Sequence, residues 1–365
     1  MCTISLCMIV KNEEEVLARC LDSARDIADE IVIVDTGSTD ATKEIARRYT
    51  DKVLDFAWID DFAAARNVSF DHAVMEYCLW LDADDVIESA DRLRFLELKR
   101  ALPAGTDMVM LPYHTAFDEA GRPTFTYYRE RLIRNRPEYR WTGAIHEAIK
   151  PAGQIVYGDA AVSHRKLRPG DPDRNLRIFE KLRQKGHAFS PREQFYYARE
   201  LYYHQRYEEA AQLFHGFLEE GRGWVENNID ACRQLAACHT ALGHDREALE
   251  ALLHSLSYDA PRAESCCDLG EYFFGHGQIP TAIFWYELAL TRRTDPRSGA
   301  FACPECSGYI PCIQLCLCYD RLGDWETAAA YNDRAETFKP GDASCAYNRT
   351  YFQNRAAQSA NPSPS

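Results

Sequence analysis

Short apolar runs alternate with amphipathic stripes along the first part of the chain. Ile4–Val10 and Glu30–Asp35 are continuous or β-branched apolar runs, which is typical of buried strands. Between them, apolar residues recur at helical spacing from Glu13 to about Ala28. An alternation of strand and helix is characteristic of βαβ units, so the pattern predicts an α/β domain with a largely parallel sheet.

The same patterns continue to about residue 165. Helical stripes are predicted from Phe62 to about Glu76 and from Asp91 to Ala101. Further strands are predicted at Val53–Phe56, Tyr77–Leu81, Asp107–Leu111, Phe125–Arg134 and Gln154–Val162, and Tyr139–Glu147 is also rich in strand formers.

A turn-rich segment at Arg168–Asp173 separates this region from one that is helical throughout. Four segments there share a helix end, a tight turn and a helix that opens on an alanine. The aligned residues Ala210, Ala248, Ala282 and Ala328 are 38, 34 and 46 residues apart, close to the tetratricopeptide period except for one insertion. The predicted organisation is an α/β domain at 1–167, a linker with a connecting helix at 168–192, helical repeats at 193–350 and a disordered tail at 351–365.

Three carboxylates end the apolar run that begins at Tyr77. Asp82, Asp84 and Asp85 directly follow this predicted strand. Ligands of open α/β sheets bind beyond the carboxyl ends of the strands, and one or two carboxylates with a substrate phosphate suffice for Mg²⁺. The acids therefore predict a metal and diphosphate site, with a solvated acidic turn as the alternative.

Other polar residues at strand ends have two interpretations each. Asn12 either caps a helix or hydrogen-bonds a base edge, and Asp35 either caps its turn or accepts from a ribose or base. Arg66 and Asn67 fall at or beside the apolar face of the third predicted helix. A buried arginine needs an anion, which is either an internal carboxylate or a bound diphosphate.

Histidines also lie near predicted strand ends. His146 precedes Glu147, and His164 follows the last predicted strand. Histidine serves as a metal ligand or as a base near neutral pH, and glutamate is a general base when its pKa is raised. A structural polar contact is the alternative for the His146 and Glu147 pair.

Composition narrows the classes of function. The chain has 365 residues and a formal net charge of −14, which argues against a nucleic-acid surface because such surfaces need a basic stripe. The start of the chain lacks the basic segment of a signal peptide, and no stretch is apolar enough to span a membrane. A cytoplasmic location is therefore expected, with the 14 cysteines reduced.

One cysteine group departs from this pattern. Cys303 and Cys306 form a CxxC, followed by Cys312 and Cys316. Such a pair is either half of a zinc site or part of a reduced loop, because a second CxxC is missing.

Five motifs together resemble a known family. They are Ser5–Glu13, Ile33–Asp40, Asp61–Asn67, Leu79–Asp84 and Gly143–Glu147. In order and spacing they resemble family 2 glycosyltransferases of the GT-A fold, and with the helical repeats the chain is similar to two-part bacterial enzymes that include glycocin-type peptide S-glycosyltransferases. The resemblance covers about residues 3–165, and it implies a GT-A, Rossmann-like nucleotide-binding domain followed by an all-α tetratricopeptide-like domain.

The resemblance also implies roles for individual residues. The nucleotide-sugar would be held by Asn12, Glu14, Asp35, Arg66, Asn67 and Asp82, with Glu13 between the first two of them. Mg²⁺ or Mn²⁺ would be bound by Asp84, with His164 or His146 as a further ligand. The reaction would invert the anomeric carbon, with Glu147 as the base and His146 as the second candidate.

The implied activity is metal-dependent transfer of a sugar, with a UDP-sugar expected as donor and a peptide or protein on the repeat domain as acceptor. The alternatives are transfer to a cell-surface glycan and a non-catalytic adaptor, with a nucleotidyltransferase as a weaker third. The sequence leaves open the sugar, the acceptor atom (sulfur or oxygen) and the oligomeric state, although exposed repeat faces would allow a homodimer.

Overall fold

A computed structural model describes residues 1–168 and 170–360. The chain divides into two compact units between Ala188 and Phe189. The predicted linker at 168–192 therefore contributes most of its length, including a helix, to the first unit.

The first unit is built on one mixed sheet. Its strands are β1 (Ile4–Val10), β2 (Glu30–Asp35), β3 (Val53–Asp55), β4 (Tyr77–Trp80), β5 (Asp85–Val86), β6 (Met108–Phe117), β7 (Pro123–Arg134), β8 (Ile155–Tyr157) and β9 (Val162–His164). The strand order is β3-β2-β1-β4-β7-β6-β9-β5, with β8 paired to β6. β1 is parallel to β2 and β4, while β7 is antiparallel to β4. The carboxyl ends of β1, β2 and β4 consequently lie at one edge.

Helices of the first unit are α1 (Leu17–Ala24), α2 (Thr42–Ala46), α3 (Phe62–His72), α4 (Ser89–Ala101) and α5 (Arg174–Gln184). One apolar cluster joins β1 and β4 to α1, and it includes Leu6, Leu79 and Leu21. A second joins β1, α3 and β4 through Cys7, Phe70 and Trp80. The sheet is thus covered by apolar side chains, as continuous apolar strands predict.

Three segments differ in the structure from what their sequences indicate. α1 begins at Leu17, because Glu13 is engaged at the end of β1, where its amide donates to Thr42 Oγ1. The segment Tyr139–Glu147, which is rich in strand formers, is a loop closed by an isolated bridge between Thr142 and Ala148. The strand predicted at Gln154–Val162 is two short strands, β8 and β9, which pair with different stretches of β6.

The second unit consists of helices only. They are α6 (Pro191–Tyr203), α7 (Tyr207–Glu220), α8 (Val225–Ala241), α9 (Asp245–His254), α10 (Ala263–Gly275), α11 (Ile279–Thr291), α12 (Tyr309–Arg321), α13 (Trp325–Phe338) and α14 (Ala343–Ala360). Consecutive helices from α6 to α13 form four pairs, which confirms the predicted repeats.

The repeat signature corresponds to a common packing pattern. All four aligned alanines are buried, none with more than 1 % of its surface exposed. Five residues before each of them lies a residue with positive φ, which is glycine in three repeats and Gln205 in the first. Small buried residues let the paired helices approach, and the left-handed residue makes the tight turn.

Structure also decides the two remaining sequence features of this unit. Cys312 and Cys316 are buried in α12 among apolar residues, and within the described residues no cysteine belongs to a group with metal-binding geometry. The predicted disorder at 351–365 is wrong for 351–360, which complete α14, while 361–365 lie outside the described residues. None of the helices described here is both long and apolar enough to cross a membrane.

Candidate active site

A cleft of about 1050 Å³ lies at the carboxyl edge of the sheet in the first unit. Its walls include eight of the ten residues that the sequence singled out, namely Asn12, Glu14, Arg66, Asp82, Asp84, His146, Glu147 and His164. Asp35 and Asn67 are absent from the walls. The volume is at the upper end of the range for small-molecule sites.

Strained backbone is concentrated around this cleft. Among the described residues, four other than glycine have positive φ, and three of them, Asn12, Asp60 and His146, line the cleft. Residues held in sparsely populated conformations persist where the surrounding structure determines them, and they cluster at functional sites.

Arg66 connects two of the predicted acidic residues. Its Nε donates to Glu147 Oε1 at 2.6 Å, and its NH2 donates to Asp82 Oδ1 at 2.7 Å. The guanidinium lies about 5 Å from the ring centres of both Trp80 and Trp141. Burial would raise the pKa of Asp82, but the charges of Arg66 and Arg131 and the hydrogen bond from Arg66 together outweigh burial and lower this pKa to about 2. Asp82 is therefore an anion at physiological pH.

A second cluster consists of Asp84, Asp85 and His164. One potential ligand atom from each of these residues lies within 4.8 Å of the others. His164 Nδ1 is 3.4 Å from Asp84 Oδ1 and 3.4 Å from Asp85 Oδ1. The pKa of Asp84 is raised by burial and by the neighbouring carboxylates. A divalent cation would relieve this repulsion, and carboxylate with imidazole is a donor set that suits it.

Asp85 differs from Asp84 in its partners. Its side chain is fully buried, and its Oδ2 accepts from Arg131 NH1 at 3.0 Å and from the Asp82 amide at 3.0 Å. Its Oδ1 accepts from the Tyr113 hydroxyl at 2.9 Å. Asp85 thus holds the Asp82–Asp84 turn in place, and Asp84 and His164 are the members of the cluster that line the cleft.

Asn12 and Glu14 connect the end of β1 to the loop after β2. Asn12 Oδ1 accepts from the Thr39 amide at 2.8 Å, and Glu14 Oε2 accepts from the Ala41 amide at 3.0 Å. Neither is a cap of α1. Both residues line the cleft, so they shape the wall on which a nucleotide was predicted to bind.

Asp35 caps its turn, which is one of the two interpretations proposed from the sequence. Its Oδ1 accepts from the amides of Gly37 and Ser38 at 3.0 and 2.9 Å, which caps the turn. Its Oδ2 is buried, and it has no hydrogen-bond partner among the described residues. A buried carboxylate oxygen without a donor is costly, so this oxygen is suited to accept from a ligand.

Asn67 has a structural role. Its Nδ2 donates to the Trp141 carbonyl at 3.0 Å, and its Oδ1 accepts from the Trp141 amide at 2.9 Å. These two hydrogen bonds hold the backbone of Trp141 against α3. The prediction that Asn67 contacts a nucleotide or diphosphate is not supported by this placement.

A short loop presents His146 and Glu147 to the cleft. Thr142 and Ala148 exchange backbone hydrogen bonds of 3.0 and 3.1 Å that close the loop, and the Phe62 amide donates to the Ala144 carbonyl at 2.9 Å. The loop is thereby attached to the start of α3. His146 and Glu147 lie on the cleft wall that also carries Arg66.

Sequence reasoning missed two arginines of this region, and it placed Glu13 only within the segment that would hold the nucleotide. Glu13 lines the cleft, and burial together with the charges of Asp84 and Asp82 raises its pKa to about 7. Arg129 lines the cleft and lies 5.0 Å from the Trp80 ring centre, while Arg131 is buried with its guanidinium 3.7 Å from the same ring centre. Both arginines lie on β7, which was interpreted only as a half-exposed strand. The sequence signal for a role of these arginines was their alternate spacing in a strand that continues into the buried residues Leu132 and Ile133.

Helix α5 supplies a basic wall that the sequence had assigned to a linker. Lys181 Nζ is 2.8 Å from Asp60 Oδ2, and the Arg174 guanidinium lies 4.8 Å from the Phe62 ring centre. Arg177 also lines the cleft. These cations give an acidic protein a local surface for an anionic ligand.

Comparisons with known proteins agree with this geometry. Residues 5–157 match the model of glycosyl transferase family 2. A TPR repeat-containing protein of Synechococcus elongatus is 39% identical over 151 residues, which is 41% of this chain and 36% of that protein.

Two curated glycosyltransferases are also similar. The SPbeta prophage-derived glycosyltransferase SunS of Bacillus subtilis is 27% identical over 223 residues, 57% of this chain and 51% of that protein. The lipopolysaccharide core biosynthesis glycosyltransferase LpsC of Rhizobium meliloti is 28% identical over 159 residues, 42% of this chain and 58% of that protein. The chain spans about half the length of the curated relatives it matches.

Proposed function

We propose that the protein is an inverting, metal-dependent glycosyltransferase, because residues 5–157 match the model of glycosyl transferase family 2. It moves a sugar from a nucleotide-sugar, with UDP as the expected nucleotide, to a thiol or hydroxyl of a peptide or protein side chain. The observation that carries this proposal is the cluster of Asp82, Asp84 and His164 in one cleft at the carboxyl edge of the sheet.

Asp84 and His164 are the residues that would hold Mg²⁺ or Mn²⁺. When bound, the cation acts as a Lewis acid that neutralises the charge of a departing diphosphate. Asp85 is hydrogen-bonded to Arg131 and Tyr113, and it thereby orients the loop that carries Asp84. The low pKa of Asp82 keeps that carboxylate charged toward a ribose or the cation.

The remaining cleft residues divide between the nucleotide and its phosphates. Asp35 Oδ2 has no donor among the described residues and would accept from the base or ribose, whereas Asn12 and Glu14 belong to the cleft wall itself. Arg129 and the cations of α5 attract the phosphates. Arg66 acts on them indirectly, since two of its nitrogens are already committed to Asp82 and Glu147.

The base that activates the acceptor is Glu147, with His146 as the second candidate. Glu147 lies on the cleft wall, but its Oε1 accepts a charge-assisted bond from Arg66, so it would take a proton through the other oxygen. Comparing Glu147→Gln with His146→Gln separates the two. The variant that removes the base lowers kcat by about a hundredfold or more, whereas the other changes mainly KM.

The acceptor is proposed to be a peptide because stacked helical repeats form extended binding surfaces. A cell-surface glycan as acceptor is the competing specificity, and it is distinguished by offering both acceptor classes with one labelled donor. The cytoplasmic location expected from the sequence stays a prediction.

A thermal-shift series with UDP, GDP, ADP and TDP, each with and without Mn²⁺, tests the proposal without an acceptor. A ligand that binds only the native state raises its apparent stability. The expected result is a Mn²⁺-dependent increase in Tm with UDP that Asp84→Ala removes. A well-folded protein that responds to none of the four nucleotides would instead favour the non-catalytic adaptor.

A further inference from the structure

The insertion that interrupts the repeat period is folded onto the repeats themselves. It connects α11 to α12 and spans residues 292–308. Its residue Phe301 lies with its ring centre 5.6 Å from that of Phe195 on α6, and the Arg199 guanidinium lies 4.7 Å from the Phe301 ring centre. The aromatic side chain is thus held by the first helix of the first pair, about a hundred residues away in sequence.

Two neighbours of Phe301 are held on the next two pairs. The Cys303 amide donates to Glu264 Oε1 on α10 at 2.5 Å. Gly299 adopts φ +73°, and a side chain there would come within 3.0 Å of the Trp224 ring, which directly precedes α8. The segment from Gly299 to Cys303 therefore lies across α6, α8 and α10, which are the first helices of three consecutive pairs. We call the face that they form the repeat groove.

The segment fills the repeat groove closely. The cavity between Phe301, Ala300 and the side chains on and beside α8 and α10 has a volume of about 10 Å³. A cavity of this size holds one water at most. The contact is therefore a fitted one and not a loose crossing of a loop over a surface.

The groove beneath the segment has hydrogen-bonding capacity that the protein does not use. Asp230 Oδ2 on α8, which lies at the groove, is buried without a hydrogen-bond partner among the described residues. Asp230 has 5 % of its surface exposed, and its closest cations are Arg233 at 3.6 Å and Arg199 at 3.9 Å, beyond hydrogen-bond distance. Unpaired buried acceptors of this kind call for donors from outside the helices.

We propose that the repeat groove is a binding site for an extended peptide segment with an aromatic residue and a neighbouring arginine or lysine, and that residues 299–303 occupy it as an internal substitute. The aromatic ring of the partner takes the place of Phe301 between Phe195 and Arg199. Its backbone amides and its cationic side chain supply the donors that Asp230 and Glu264 accept.

Charge and chain connectivity support this choice of partner. Four carboxylates and three arginines lie at the groove, so the carboxylates exceed the cations by one. The carboxylates belong to Glu226, Asp230, Glu264 and Asp268. The insertion that contains the internal segment carries Arg292, Arg293 and Arg297 against Asp295. The segment is tethered at both ends, which gives it a high effective concentration, so a partner competes with it and does not meet an empty site.

The test uses the full chain and a fluorescent peptide of residues 292–302 as the probe. Phe301→Ala removes the internal anchor, and this variant is expected to bind the peptide at least about tenfold more tightly than the unaltered protein. A peptide with alanine at the Phe301 position should lose about tenfold in affinity for the same variant. The matched control is Phe284→Ala, an exposed phenylalanine on α11, which should bind as weakly as the unaltered protein.

Fold is checked by circular dichroism, and Phe301→Leu, which keeps apolar bulk but not the ring, is used if Phe301→Ala unfolds. Failure of the folded variant to bind the peptide, equal binding of the two peptides, or equal binding by Phe284→Ala would each overturn the proposal. The assay measures binding only, so its outcome is independent of sugar transfer.

Discussion

The carboxyl edge of the sheet and the turns of the helical repeats satisfy their polar groups in opposite ways. At the sheet edge, Asp82, Asp85 and Glu147 are bound by arginines from distant parts of the chain. In the repeats, each turn is closed by local backbone bonds and a buried alanine five residues later. At the sheet edge, the ion pairs place charged side chains where they can act on a ligand, and the backbone there is strained. In the repeats, one local arrangement of turn and buried alanine recurs.

The largest effect is expected from a substitution that distinguishes Asp84 from its neighbour Asp85 at the sheet edge. Asp84→Ala is expected to lower turnover by about a thousandfold or more, because the variant loses a ligand for the cation that neutralises the leaving group. The measurement is turnover with the donor that the thermal-shift series identifies. Undiminished turnover in a variant with an unchanged circular dichroism spectrum would defeat the metal assignment.

Asp85→Ala is expected to act on stability. It leaves Arg131 as a fully buried charge without its carboxylate, since both side chains are 0 % exposed. Removing one partner of a buried pair costs about 3–5 kcal/mol, measured as the free energy of unfolding in urea. Asp84→Ala is the control, and an equal loss in both variants would contradict the distinction between the two acids.

In the repeats, the corresponding test is Ala328→Leu. Ala328 is fully buried against the paired helix, so extra methyl groups must displace their neighbours at a cost of about 1–3 kcal/mol. Ala330→Leu, two residues along the same helix on an exposed position, should change the free energy of unfolding by less than about 0.5 kcal/mol. Equal effects would mean that the buried alanine is not what sets the repeat.

The pH dependence of stability in Glu13→Gln tests how far the negative charge of Glu13 destabilises the folded protein at the sheet edge. The pKa of Glu13 is raised from 4.5 to about 7 in the folded protein, chiefly by burial and then by Asp84 and Asp82. Between these values the folded state retains a proton that the unfolded chain has lost, so stability falls as pH rises.

The glutamine variant should therefore be more stable than the unaltered protein by about 1 kcal/mol above pH 7, a value reduced for solvent screening. The gain should disappear below pH 4.5. Tm is measured across this range in the presence of a chelator. A gain that does not vary with pH would show that the charge is not its cause.

The smallest effect is expected at the first repeat turn. Gln205 has φ +59°, at the position where the other three repeats have glycine. Gln205→Gly should stabilise the protein by about 0.5–1 kcal/mol, because relief of left-handed strain exceeds the entropy that glycine adds to the unfolded chain. The control is Gly323→Ala, which should destabilise by a similar amount in the same urea titration. A loss of stability in Gln205→Gly would show that the glutamine side chain contributes more than its backbone costs.

The sequence predicted β1 and β2 to the residue, because a buried strand between two turns has a continuous apolar pattern. It was less successful between residues 139 and 164. There, Trp141 is buried against α3 and Ile145 is buried within the loop that contains His146, without forming a ladder. An apolar sequence indicates that a segment is buried, but it does not indicate which other segment supplies its backbone hydrogen bonds.

Local patterns alone determined the α/β order, the four repeats and the acids at the end of β4, because periodicity, turn residues and strand ends are properties of neighbouring residues. Tertiary structure alone decided how those acids divide their roles. Asp84 faces the cleft while Asp85 is buried with Arg131, and Asn67 holds a backbone where a ligand contact was expected. Each of these outcomes depends on a partner about 45 to 75 residues away, and a side chain's pKa and exposure are set by such partners rather than by its own neighbours in sequence.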